Sequence, residues 1–237
     1  MDKKKFKEKY GEWAIVTGAT NGIGKAFVDE LSMLGLSIVI VGRNQKKLDE
    51  LSRKLKSRGV NCLKLRIDLS LPKSSELLFK NTKKLDIGLI VMSAGFGNYG
   101  EFISNDISEN SKMIDLHCKH RVEMSHYYGN IFKSKNRGGI INLSSIVAYQ
   151  GTVSAVNYSA VNAFLQNFSE GLYLELKKHS VDLLSVCPGP VKTGFEKTAK
   201  MKFLISSNPK VVAKASLNSL GKKNTVFPGL IAKILHY

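Results

Sequence analysis

Acidic residues are scarce in this chain: 19 aspartates and glutamates stand against 36 lysines and arginines in 237 residues, a net charge of +17. The imbalance gives the molecule a positive potential that draws anions from a distance. Cysteine is scarce as well. Cys62, Cys118 and Cys187 form no CxxC pair and sit in apolar or helical contexts, which argues against a disulfide framework and for a reducing, cytoplasmic setting. Long apolar runs are missing near the start: after Met1-Asp2-Lys3-Lys4-Lys5 the first such run is Trp13 to Val16. That is too short for a signal-peptide core or a membrane span, so a soluble, unprocessed chain is expected. No linker, repeat or composition shift marks a boundary, so residues 1–237 read as one domain. The lysines are scattered instead of clustering with aromatics, which argues against a nucleic-acid partner. An anionic substrate or a peripheral membrane contact remains compatible with the charge.

Short β-branched runs alternate with helical stretches, the pattern of βαβ units and a parallel sheet. Strands are predicted near 13–17, 37–41, 61–67, 87–92, 139–143 and 181–186. Most are nearly continuous apolar runs, as expected when helices cover both faces of a doubly wound α/β sheet. Helices are predicted over 23–34, 45–56, 74–84, from a capping box at Ser108, over 154–178 and over 209–220. A last strand is expected from Thr225. The tail through Ile231, Ile234 and Leu235 is read as ordinary packing or a dimer contact, with a membrane-touching tail as the alternative.

The segment Thr17-Gly18-Ala19-Thr20-Asn21-Gly22-Ile23-Gly24 lies between an apolar strand and an amphipathic helix, the setting of a phosphate-binding turn. Glycines let the backbone approach a pyrophosphate, and the N–H groups of the helix start bind it. About 20 residues further on, where a ribose-binding carboxylate would stand, the second strand ends in Gly42-Arg43-Asn44. No carboxylate is present there. Arg43 suits a 2'-phosphate, so NADP(H) is expected over NAD(H).

These features, with Asp68-Leu69 after the third strand, Ala94-Gly95 after the fourth, Ser145 with Tyr158, and Pro188-Gly189 after the sixth, resemble the short-chain dehydrogenase/reductase family over almost the whole chain. The resemblance implies a Rossmann-type fold. It places Gly18, Thr20, Asn21, Gly22, Ile23, Gly24, Arg43 and Asn44 around the phosphates and ribose, and Asp68 with Leu69 at the adenine. Ala94 and Gly95 would line the ribose, and Pro188, Gly189, Val191 and Thr193 would hold the nicotinamide. Carbonyl reduction needs a proton donor and an oxyanion stabiliser, the roles that the resemblance gives to Tyr158 and Ser145. It also implies a homodimer or homotetramer paired through the fourth and fifth helices.

Three departures stand out. Where the family commonly has two asparagines before Ala-Gly, this chain has Met92 and Ser93, and a bond tying neighbouring strands is expected to be lost. Where the family places a lysine four residues after the tyrosine, this chain has Asn162. His117 replaces an asparagine of the same proton relay; it reads as a helix histidine making an ordinary hydrogen bond, with an imidazolium standing in for the missing cation as the alternative. Without that lysine Tyr158 is expected to titrate near the free value, about 10. The candidate catalytic set is therefore Tyr158, Ser145, Asn162 and His117, in an NADP(H)-dependent reductase of a carbonyl or alcohol substrate. The alternative is a cofactor-binding pseudoenzyme that acts as a sensor or partner subunit. His117 and His120 share a helix face but lack a third ligand at metal spacing, so no metal is expected. A lid near 190–208, with Phe195, Met201, Phe203, Leu204 and Ile205 beside Lys192, Lys197, Lys200 and Lys202, points to partly apolar acyl, steroid or polyketide carbonyls with room for an anionic handle.

Overall fold

Successive residues of each strand face opposite ways, and the chain uses both faces. In β1 (Trp13–Thr17) Ala14 and Val16 enter one core, and Ile15 enters the other. Ile38 and Ile40 alternate in the same way with Val39 and Val41 in β2 (Ser37–Gly42). So do Leu89 and Val91 with Ile90 and Met92 in β4 (Ile87–Met92). With β3 (Cys62–Arg66), β5 (Gly139–Leu143), β6 (Asp182–Val186) and β7 (Thr225–Val226), they form a seven-stranded parallel sheet in the order β3-β2-β1-β4-β5-β6-β7. The computed structural model describes residues 2–194, 206–230 and 232–233.

One core lies beneath α2 (Gly22–Met33), α3 (Gln45–Lys56) and α8 (Pro209–Ser219), through Phe27, Leu31, Leu48, Leu55 and Val212. The other lies beneath α4 (Ser74–Thr82), α6 (His120–Lys135) and α7 (Val156–Lys177), through Leu78, Met124, Tyr128, Phe132 and Leu176. This is the doubly wound Rossmann-type architecture expected from the sequence.

An unforeseen helix, α1 (Lys3–Tyr10), is capped by Asp2, whose carboxylate accepts from Lys4 N at 2.9 Å. Only Phe6 and Tyr10 are apolar and buried in it, too weak a pattern to read in a lysine-rich start. Tyr10 lies across the N-terminal ends of the strands and donates to Asp182 Oδ2 at 2.6 Å. A Cβ on Gly139 would come within 2.9 Å of its ring.

The long fourth-strand helix is not continuous. α5 (Ile107–Ile114) is capped by Asp106, two residues ahead of the predicted box at Ser108, because the Asp106 carboxylate accepts from Ser108 N at 2.9 Å. A π-helical turn, Asp115–Lys119, then joins α5 to α6, with the His120 N–H bonding back to Asp115 O. Such widened turns often mark functional positions, and His117 lies in this one. Pro190 and Lys192 bond Ser207 through their backbones. The predicted lid residues 195–205 lie outside the described residues, as do Ile231, Ile234 and Leu235 of the predicted tail. Among the described residues no helix is long and apolar enough to cross a membrane.

Candidate active site

Strand order reverses between β1 and β4, and in open parallel sheets the crevice at the carboxyl ends of such strands is the ligand site. Here that crevice is a cavity of about 460 Å³ running from Arg43 and Asp68 at one end to Ser145, Tyr158 and Asn162 at the other.

The glycine turn forms its wall by close approach. Gly18 (φ +65°) leaves room for the backbone of Ala94, which a Cβ would meet at 2.9 Å. Gly22 (φ +51°) faces the Thr193 side chain, 2.7 Å from where its Cβ would stand. Gly24 allows α2 to begin against the turn, since a Cβ there would lie 2.3 Å from Gly18 O. Asn21 caps α2 by accepting from Gly22 N at 2.9 Å. Thr20, Ile23, Gly189 and Val191 line the same wall. This narrow backbone cradle at a helix N-terminus fits a pyrophosphate.

At the far end Arg43 is 68% exposed, its Nη1 3.8 Å from Asp68 Oδ2. Asp68 is held by Ser70, which donates through N at 3.1 Å and Oγ at 2.7 Å. Asn44 caps α3 by accepting from Lys47 N at 3.0 Å. Lys47 joins Arg43 and Leu69 along the cavity. Lys47 was missed, although its place in the first turn after Arg43 is a signal that sequence reading could have used.

The turn after β4 is tied despite Met92 and Ser93. Thr17 Oγ1 accepts from Ala94 N at 3.1 Å on one side. On the other, Arg121 donates through Nη1 to Met92 O at 2.6 Å and through Nη2 to Ala94 O at 3.0 Å. Thr17 thus ties β1 to the turn after β4, and Arg121, unremarked in the sequence, ties that turn to α6. Gly95 is required by His117, whose ring would lie 2.9 Å from a Cβ there.

Ser145 caps a short 3-10 turn, 146–149, and accepts from Val147 N at 3.4 Å. Pro188 O accepts from Ile146 N at 3.1 Å, which fixes the segment after β6 to this turn. Tyr158, on the first turn of α7, is half-buried. Burial raises its pKa above the ordinary value, against the lowering effects of a Ser145 hydrogen bond, the Arg121 charge and an Asn162 hydrogen bond. It is therefore protonated at neutral pH, and the expected free value is corrected upward. Asn162 is buried one turn on. Its Nδ2 donates to Tyr158 O at 2.8 Å, and its own carbonyl accepts from Ser144 Oγ at 3.2 Å.

His117 is not a cation. Its Nε2 lies 3.2 Å from Phe96 N and 3.0 Å from Phe96 O, and its ring is edge-on to Tyr158 at 6.0 Å. Burial, and then the adjacent Arg121 charge, push its pKa down to about 3. The imidazolium reading is corrected on that ground. His120 Nδ1 instead pairs with Ser75 Oγ at 2.8 Å. Among the described residues no three His, Cys, Asp or Glu side chains gather as a metal site.

A parallel Rossmann-type sheet with a glycine cradle and a Ser–Tyr pair at opposite ends of one cavity defines a dinucleotide-binding oxidoreductase class. The short chain dehydrogenase family profile matches residues 12–202, and the chain belongs to that family. It is similar to a 7beta-hydroxysteroid dehydrogenase of Mediterraneibacter gnavus, 30% identical over 234 residues, covering 94% of this chain and 88% of that protein. It is also similar to a very-long-chain 3-oxoacyl-CoA reductase of Neurospora crassa, 32% identical over 219 residues, covering 90% of this chain and 66% of that protein. Among solved structures, a 7beta-hydroxysteroid dehydrogenase superposes with a TM-score of 0.88 at 28% identity, covering 97% of this chain and 92% of its own. A Sphingobium yanoikuyae short-chain dehydrogenase in complex with NADPH shares the fold, with a TM-score of 0.85 at 23% identity.

Proposed function

We propose that the protein is an NADPH-dependent reductase of a carbonyl on a partly apolar substrate, of the kind that steroids and acyl thioesters present. The observation that carries this reading is the placement of Tyr158, protonated and hydrogen-bonded to Ser145, in the same cavity as the glycine cradle. Bound at that cradle, the reduced nicotinamide would supply hydride to the carbonyl carbon. Tyr158 gives its proton to the carbonyl oxygen as charge develops there, and Ser145 Oγ donates a hydrogen bond to the same oxygen. Gly18 to Gly24 hold the phosphates, Arg43 and Lys47 face the 2'-phosphate, and Pro188 to Thr193 hold the nicotinamide side.

Apolar groups beside the pair, Phe96, Leu143, Ile146 and Val147, fit a substrate with a hydrocarbon body. The relatives, a hydroxysteroid dehydrogenase and a 3-oxoacyl-CoA reductase, agree with such a body. Exposed apolar side chains on α6 and α7, Val122, Phe164 and Leu174, support pairing of two copies. A cofactor-binding protein without turnover is the weaker reading, because the proton donor and its serine are both retained in place.

The test is NADPH oxidation by purified protein against a panel of ketosteroids and 3-oxoacyl thioesters, with NADPH affinity measured separately by fluorescence. Turnover of at least one member, abolished in Tyr158→Phe, is expected. NADPH binding with no turnover across the panel overturns the reductase reading and leaves the binding protein.

A further inference from the structure

Tyr158 lacks the family lysine one turn beyond it, yet a cation lies in its cavity. Arg121, on the first turn of α6, is 2% exposed and lines the cavity with Tyr158, Ser145 and Asn162. Its two carbonyl bonds, to Met92 and Ala94, offset desolvation but leave its charge whole. Among the described residues no carboxylate forms an ion pair with it. The acidic groups that its charge acts on are Cys118 and Tyr158. Burial lowers its pKa to about 10, so it stays protonated at neutral pH.

We propose that Arg121 is the positioning cation of this active site, acting through Tyr158 in place of the lysine that Asn162 replaces, while its carbonyl bonds hold the Ala94-Gly95 turn. The arrangement joins two departures from the family into one device. The asparagines after β4 and the lysine on α7 are both missing, and one guanidinium on α6 bonds the turn after β4 and shares the cavity with Tyr158 and Asn162. A guanidinium is suited to this double task because several donors share one delocalised charge. Among the described residues named as acting on or packing against Tyr158, the others do not supply that charge: His117 is held neutral, and Ser145 and Asn162 are uncharged. An opposite charge within about 4–6 Å favours the ionised form and lowers an acid's pKa by about one to three units.

The inference rests on the reductase reading for its chemical purpose, so its test reads the phenol directly. 3,5-Difluorotyrosine, which ionises closer to neutral pH than tyrosine, is placed at position 158, and its fluorine resonance is titrated. Arg121→Gln is expected to raise the midpoint by at least about one pH unit, and Arg121→Lys to leave it within about half a unit. Adding Asn162→Lys to Arg121→Gln should return the midpoint toward wild type, which a role confined to the turn would not do. An unchanged midpoint in folded Arg121→Gln overturns the inference. Should that variant fail to fold, the label is placed instead at Tyr128 of the otherwise wild-type protein. Tyr128 is a buried phenol hydrogen-bonded to Thr82, without Arg121 among the groups that shift its pKa. Position 158 is then expected to titrate at least about one unit below position 128, and an equal or higher midpoint overturns the proposal. A shifted phenol without turnover sinks only the reductase reading; turnover with an unshifted phenol sinks only this one.

Discussion

Arg43 and Arg121 stand at opposite ends of one cleft, and their surroundings make them different tools. Arg43 is 68% exposed, its nearest acidic atom 3.8 Å away on Asp68. Salt and water screen such a charge, so it acts mainly on an anion that comes to rest against it. Arg121 is 2% exposed, and its guanidinium donates to the backbone carbonyls of Met92 and Ala94. A charge in that setting is felt by its neighbours whether or not a ligand is present. On the proposed reading the exposed arginine selects what binds, and the buried one sets the protonation of what reacts. One residue type thus serves recognition at one end and acid–base chemistry at the other.

The largest effect is expected at the reacting end. Tyr158→Phe removes the proton that the buried end exists to manage. Carbonyl reduction should fall by about 10²- to 10⁴-fold in kcat, with NADPH affinity, set at the other end, unchanged. Steady-state kinetics with a fluorescence titration check both. A loss below about tenfold would take the acid role from Tyr158 and dissolve the division of labour between the two ends.

Burial at the reacting end also predicts acid sensitivity. His117 and His120 each have a pKa of about 3, set mainly by burial. The unfolded chain takes up these protons near pH 6.5, whereas the native state withholds them until about pH 3. Stability is therefore full above about 6.5 and falls as pH is lowered, by about 1.4 kcal/mol per histidine per pH unit. Urea unfolding at pH 7 and pH 5 measures the loss, and His117→Asn should flatten part of it. Reduction should also show no titration limb near pH 6.5. An activity that drops as pH rises through 6.5 would restore the imidazolium.

The same contrast explains what could be read from the sequence. Strands β1, β2, β4 and β5 lie within a residue of where the apolar runs placed them, because strands buried on both faces leave little ambiguity. The glycine turn was legible because close backbone approach admits only glycine at Gly18 and Gly24. Tyr158 and Ser145 were singled out through the family resemblance and Arg43 through its distance from the glycine turn, and all three line one cavity. Arg121 was not, since its partners Met92 and Ala94 are far from it in sequence and offer only backbone carbonyls. The protonation state of His117 was also out of reach, because a helix histidine shows its depth only once Phe96 and Gly95 fold over it. The π-helical turn that carries it has no signature in residue type.

At the exposed end the expected effect is smaller. NADPH should bind at least about tenfold more tightly than NADH, about 1.4 kcal/mol, and Arg43→Ala should remove most of that preference. The residual preference should rest on Lys47 and shrink as salt is raised. Fluorescence titrations of both cofactors at two ionic strengths check this. Equal affinities in the wild type would leave Arg43 without the recognition role that sets it apart from Arg121.

The smallest effect is expected from restoring the family lysine to the intact protein. Had Tyr158 no cation, Asn162→Lys would supply one and raise alcohol oxidation near neutral pH by about three orders of magnitude at the upper end of what a neighbouring charge does. With Arg121 already in the cavity, the second cation adds to a charge already felt, and the two repel across a poorly solvated space. Asn162→Lys must also give up the bond from Nδ2 to Tyr158 O. Oxidation should therefore rise by less than about tenfold, about 1.4 kcal/mol of barrier, and thermal stability should fall. In the Arg121→Gln background the same substitution should give the larger gain, because it then meets no competing charge. Rates of alcohol oxidation for the four members of this double-mutant cycle decide the matter. A gain from Asn162→Lys that is the same size in both backgrounds would mean that Arg121 and position 162 do not act on a common phenol.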